Sequence, residues 1–224
     1  MDNVASVMEY MPSSGEISRN ALHDHLKAIA HSQRCPSSGS ASALIGAISA
    51  ALVEMVARAN AKEKAFGVSA APMTMVASDA AELVGGLTEG IERDTKTCEA
   101  IASAIELPTV NFKEESARRR AIQSALRQAV DTQLYVATRS AQSAALARRL
   151  LVEGISTTRT DATSAILIAA SAIESACLSA SENLCSIKDT EYTSRSWRDI
   201  TKLLDKARAA RAEMYAVLSE RMPD

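Results

Sequence analysis

The stretch from Arg34 to Arg58, RCPSSGSASALIGAISAALVEMVAR, constrains this chain more than any other. It opens with a break. Pro36 disfavours helix at Cys35, Ser37 and Ser38 are turn formers, and Gly39 accepts any backbone angle. Ser40 is placed to cap the helix that follows. Along that helix Ala43, Gly46, Ala47 and Ala50 form a stripe without bulk, and Leu44, Ile48, Leu52 and Met55 form a heavier stripe beside it. A stripe of small residues admits close approach by another helix, so the segment is expected at the centre of a bundle. The free N–H groups at a helix start also suit an anion or a carbonyl. Spacing alone favours the plainer reading, a turn leading into a buried helix.

The remaining chain repeats the helical pattern. Aromatic residues make up only 3% of the 224 residues, which suits long helices better than sheets. Expected helices run from Glu16 to His31, Pro72 to Leu107, Asn111 to Glu153, Ala162 to Ser181 and Ser194 to Met222. Inward positions include Ile17, Leu22, Leu26 and Ile29 in the first, and Trp197, Ile200, Leu204, Ala207, Met214, Val217 and Leu218 in the last. Gly85, Gly86 and Gly90 mark a bend or a close crossing. Residues 1–15 are expected as a loose arm and 16–224 as one domain. The fold class is therefore all-α, an up-and-down bundle of long antiparallel helices.

Several classes of function find no support. A net charge of −2 gives no case for nucleic acid or an anionic membrane. No apolar run reads as bilayer-spanning, and no signal peptide is apparent. His23 and His25 point in different directions on a helix and, with His31, read as surface residues. Cys35, Cys98, Cys177 and Cys185 lack metal spacing and read as reduced core residues of a cytoplasmic protein. There is no phosphate loop, dinucleotide fingerprint or catalytic triad.

The opening stretch resembles the P-G-G-G-S-x-A-A-L-x-G-A-x-x-A-A-L-x-x-M-V-A segment of the formimidoyltetrahydrofolate cyclodeaminase and methenyltetrahydrofolate cyclohydrolase family. It is carried by Pro36, Gly39-Ser40, Ala43-Leu44, Gly46-Ala47, Ala50-Ala51-Leu52 and Met55-Val56-Ala57. The similarity extends from about Leu22 to Met222. Lys64 and Phe66 match a lysine-rich segment ending in an aromatic residue. Asp94 matches the acid of D-x-x-A-F, with Cys98 in the aromatic position. Asp161 matches the acid of G-N-x-N-A-V-S-D-A. Asn183, Leu184, Ser186 and Asp189 match N-V-x-I-N-L-x-S-L-x-D. The departures are Ser37 and Ser38 for glycine, Ile155 and Thr157 for asparagine, Ser179 for asparagine, and Glu182 for an apolar residue; a proline usual near Gln133 is missing.

The resemblance implies the same helical fold, a homodimer and one-carbon chemistry on a tetrahydrofolate derivative, with no metal needed because the substrate carries its own electrophile. By the same resemblance, Asp161 moves the proton or anchors the pterin, Asp94 is the alternative base and Lys64 balances charge. Ser37, Ser38, Gly39, Ser40, Thr157, Ser179 and Asn183 contact the substrate. Each has a plain reading too: Asp161 can satisfy backbone N–H groups at a helix start, although Thr160 is the more natural cap. Asp94 can pair with Arg93 or Lys96 at the surface, Lys64 can end a solvated helix, and Asn183 can satisfy a helix end. Three functions remain open: a cyclohydrolase or cyclodeaminase; a relative that moves a folate one-carbon unit to another acceptor; and a non-catalytic dimeric helical module.

Overall fold

The computed structural model describes residues 21–32, 35–63 and 70–219. Lys64 and Phe66 lie outside them, as do residues 1–20 and 220–224. Among the described residues there are six α-helices: α1 (Ala21–His31), α2 (Ser38–Lys62), α3 (Ala70–Ile105), α4 (Phe112–Glu153), α5 (Arg159–Leu184) and α6 (Thr190–Ser219). A 3-10 turn, Ser156–Thr158, precedes α5. No strand occurs among the described residues.

Side-chain contacts fix the directions of α2 to α6. Ser38 bonds Ser179 and Ser42 bonds Ser175, so α2 and α5 run antiparallel. Gly46 faces Leu87 of α3 and Ser140 of α4, while Ser49 bonds Ser143. Rising numbers on α2 therefore meet falling numbers on α3 and rising numbers on α4. Tyr192 of α6 meets Asp131 of α4, and Glu213 of α6 meets Arg148 of α4, so α6 runs parallel to α4. The bundle is up-and-down, as its sequence pattern requires.

The small stripe explains why α2 is central. Ala43, Ala50 and Ala57 are fully buried, and Gly46 and Ala47 are buried with them. Without bulk on that side, α3, α4 and α5 all reach α2. The heavier stripe faces outward: Ile48 is 44% and Met55 47% exposed, with Leu44 and Leu52 partly buried. Gly86 and Gly90 mark a crossing, and α3 runs unbroken through both. A Cβ at Gly90 would lie 3.1 Å from Val136 Cγ2, and one at Gly86 2.6 Å from the Tyr135 hydroxyl.

Several sequence expectations need correction. The helix-capping residue of α2 is Ser37, three positions before Ser40, and Ser40 lies fully buried inside the first turn. Thr158, not Thr160, occupies the cap position of α5, without a side-chain bond. α1 buries none of its residues, and Leu22 and Leu26 are 43% and 50% exposed. Trp197 is only partly covered, 42% exposed beside buried Ser196 and Ile200. α2 and the segment Ser156–Leu184 are long and apolar enough to cross a membrane by length and composition, contrary to the sequence reading. They touch each other along their length, and 56% and 50% of their apolar windows lie inside the bundle.

The cysteine expectation is also overturned. Cys35 and Cys98 form a disulfide with Cα atoms 6.1 Å apart, tying the segment before α2 to the side of α3. Sequence spacing missed this because the two residues are 63 positions apart and meet only when α3 folds back on α2. Cys177 is buried, and Cys185 is exposed. The cysteine argument for a cytoplasmic location is thereby removed.

Candidate functional site

Helix α2 begins without a cap of its own. Ser37 makes no side-chain bond to the first turn, which leaves orphan N–H groups at Ser38 to Ser40. A residue from another helix fills the gap. Asp94 of α3 accepts a hydrogen bond from the Ser40 backbone. Its Oδ1 also accepts from Gln133 Nε2 of α4 at 2.6 Å. Asp94 is only 7% exposed and Gln133 only 2%.

Gly39 is what permits this arrangement. A Cβ there would overlap Asp94 Oδ1 and Gln133 Nε2, and would stand 2.7 Å from Asp94 Cγ. The expected result for Gly39→Ala is a folded protein, less stable by about 1–3 kcal/mol, whose Asp94–Gln133 contact is broken. A thermal melt and a turnover assay on the same preparation check both parts.

These residues form the floor of a cleft of about 230 Å³ lined also by Ser37, Ser38, Cys98, Ser179 and Asn183. Ser38 and Ser179, both departures from the family pattern, share a 2.8 Å hydrogen bond across it. The two positions thus meet each other directly, one on α2 and one on α5. Asn183 donates to the Ser179 carbonyl at 3.3 Å, so its amide is partly engaged in its own helix. The disulfide closes one side, since Cys98 stands one turn beyond Asp94 on α3.

Burial raises the Asp94 carboxyl above the ordinary carboxylate range, against the lowering pull of the bonds from Ser40 and Gln133. Its Oδ2 is buried without a hydrogen-bond partner, and so is Gln133 Oε1. Arg93 and Lys96 do not reach Asp94; they pair with Glu89 and Glu92. The surface-pair reading of Asp94 is therefore wrong.

The structure brings Ser37, Ser38, Gly39, Ser40, Asp94, Ser179 and Asn183 together. It does not bring Asp161 or Thr157 to them. Asp161 is in the first turn of α5 and Ser179 near its end, so about 27 Å of helix separates them. Thr157 is exposed in the 3-10 turn at that far end. That loop is held by Asn60, fully buried in the last turn of α2. Asn60 Oδ1 accepts from the Ile155 N–H at 2.6 Å, and its Nδ2 donates to Thr158 at 3.1 Å.

Sequence reading missed three contributors. Gln133 was noted only for a missing proline. Asn60, which holds the far loop and not the cleft, carried no motif. His25 reads as surface from spacing, yet it is half-buried with Nε2 3.1 Å from the Ser40 hydroxyl. A larger open groove of about 720 Å³ lies along α4, lined by Arg119, Arg120, Arg127 and Lys188. Two of its arginines are already paired, Arg119 with Glu115 and Arg127 with Asp189, and it has no buried carboxylate. Among the described residues no group of three His, Cys, Asp or Glu side chains is placed to hold a metal.

A helical bundle with a buried carboxylate under the start of its central helix can hold a small polar ring and move one proton. The chain belongs to the formiminotransferase-cyclodeaminase family, whose sequence profile matches residues 21–214. It is 28% identical over 201 residues to the methenyltetrahydrofolate cyclohydrolase of Methylorubrum extorquens, an alignment covering 90% of this chain and 97% of that protein. Its fold is similar to that of the formiminotetrahydrofolate cyclodeaminase of Thermotoga maritima, with a TM-score of 0.79 at 18% identity, covering 92% of this chain and 98% of the other.

Proposed function

We propose that this folate one-carbon enzyme hydrolyses 5,10-methenyltetrahydrofolate to 10-formyltetrahydrofolate, with Asp94 as the proton-transfer group. The observation that carries the reading is a buried carboxylate with one unpartnered oxygen in a cleft built from the family's signature loop. The cleft is smaller than pockets that enclose a whole drug-sized ligand. It suits the pterin ring and the reacting carbon, with the aminobenzoyl-glutamate portion directed outward.

The methenyl carbon is already electrophilic, because two ring nitrogens share its positive charge. The protein's task is to orient the ring, admit one water and move a proton between oxygen and nitrogen. Ser38, Ser179 and Asn183 supply orienting groups. Asp94 supplies the proton site in a place where water is scarce. A formimino group presents the same nitrogen-bound electrophilic carbon, so cyclodeamination is the second reading; the similar Methylorubrum cyclohydrolase favours hydrolysis. Loss of methenyltetrahydrofolate absorbance with purified protein tests the first, and ammonia release from formiminotetrahydrofolate the second. Folate binding without either reaction would point to a different one-carbon acceptor, and no folate binding to a non-catalytic module.

The working unit in this proposal is a homodimer formed through α2. Leu44, Ile48, Leu52 and Met55 lie on one side of that helix at three- and four-residue spacing, with Ile48 and Met55 nearly half exposed. Ile48→Glu is expected to give a folded monomer by sedimentation while the unchanged protein runs as a dimer.

A further inference from the structure

Two buried acceptor atoms without partners sit on the same pair of side chains. Gln133 Nε2 donates to Asp94 Oδ1, while Asp94 Oδ2 and Gln133 Oε1 have no partner. Burying two such oxygens without a donor is costly, and one proton can satisfy both. We propose that Asp94 and Gln133 form a cyclic acid–amide pair, in which Asp94 carries its proton on Oδ2 and donates it to Gln133 Oε1 while Gln133 Nε2 donates to Oδ1. Gln133 is then a positioning residue: it fixes which oxygen of Asp94 bears the proton.

The surroundings agree with a neutral carboxyl. From α2 it meets Gly39 and the Ser40 N–H, and from α4 the uncharged Gln133. On α5 the titratable group at the cleft is Glu182, which is exposed. His25 of α1 stands behind Ser40, bonded to its hydroxyl. On α3 itself, Arg93 and Lys96 are turned to other carboxylates and Cys98 is in the disulfide. None of these is a cation bonded to Asp94, and burial pushes in the same direction.

Resting on the folate reading, the pair assigns an order of events. Water adds to the methenyl carbon and releases one proton to solvent. The Oδ2–H bond then breaks as an N–H bond forms on the departing ring nitrogen, which keeps the electrons of the broken C–N bond. The carboxylate left behind takes the hydroxyl proton of the tetrahedral carbon as its C=O forms. Asp94 ends neutral, and Gln133 again holds the proton on Oδ2.

Infrared difference spectra of the full chain, with aspartate labelled at the carboxyl carbon, test the pair without any folate. The expected result is a protonated carboxyl band at neutral pH, absent in Asp94→Asn and moved to higher frequency in Gln133→Met. No such band in the unchanged protein, or a band that does not move in folded Gln133→Met, overturns the proposal. Should Gln133→Met fail to fold, the pH titration of the unchanged protein decides: a carboxyl already ionised at neutral pH overturns the pair. A missing band with turnover intact rejects the pair and leaves the hydrolase reading standing. A band without turnover does the reverse.

Discussion

Asp94→Asn should lower turnover of methenyltetrahydrofolate by about 10²- to 10⁴-fold while leaving folate affinity within a fewfold of its starting value. An amide has the shape of the acid and, in the proposed pair, can keep both contacts with Gln133, its Oδ1 accepting and its Nδ2 donating. What it lacks is a transferable proton. The loss therefore falls on kcat and not on KM, a division that collapse of the cleft would not give. Asp161→Asn is the matched control: about 27 Å along α5 from the cleft, it should change turnover little. A large loss at Asp161 with none at Asp94 would reverse the assignment.

The same variant has a signature in stability. Asp94 has a folded-state pKa above its unfolded value, so the native state holds the extra proton. Its contribution is fully present below the unfolded pKa and is lost as pH rises through the folded pKa. Asp94→Asn removes that dependence. Urea melts at several pH values should show the variant gaining on the unchanged protein as pH rises through that window.

Breaking the disulfide should have the largest effect on stability. Cys35 and Cys98 are separated by 63 positions, a loop that contains α2 and most of α3. In the chain-entropy account, freeing a loop of that length in the unfolded state costs about 4 kcal/mol, with measured bonds giving roughly 2–4 kcal/mol. Cys35→Ser with Cys98→Ser is expected to lower the unfolding free energy read from urea melts by that amount, moving the midpoint down, and a dithiol reductant to do the same to the unchanged protein. Identical midpoints with and without reductant would mean that the bond does not form in solution. Because Cys98 lines the cleft one turn after Asp94, the comparison should be repeated with folate present.

Helix identity was legible in the sequence because apolar spacing repeats over long segments, and the ends of α3, α4 and α5 lay within a few residues of expectation. Asn111, for example, caps α4 by accepting from the Glu114 N–H at 3.0 Å. The centrality of α2 was legible for a similar reason, since few packing solutions accommodate a stripe of Ala and Gly. The cleft was only partly legible. Ser38, Ser179 and Asn183 could be collected through their motifs, but motifs carry no depth. Nothing in the sequence separated Asp94, under the start of a helix, from Asp161, at the start of another. Both are acids on apolar helices; what distinguishes them is which end of α5 meets the head of α2. Gln133 was invisible because its role depends on a contact across 39 positions. The outward placement of Ile48 and Met55 was left open by the sequence for a different reason. Bulk normally goes inward, and here close approach to three neighbours reserves the inside for the smallest residues.

The serines on α2 give the bundle one further property. Ser38 meets Ser179, Ser42 meets Ser175, and Ser49 meets both Ser143 and the Ala165 carbonyl. Smooth rods of alanine would slide past one another at small cost, whereas these hydroxyl pairs index α2 against two neighbours along its length. A slide by less than a turn would strand all of these hydroxyls together, so the register of the central rod is held at several points along its length. Any breathing that admits a substrate must then come from the segments that flank the rod, leaving its own register untouched.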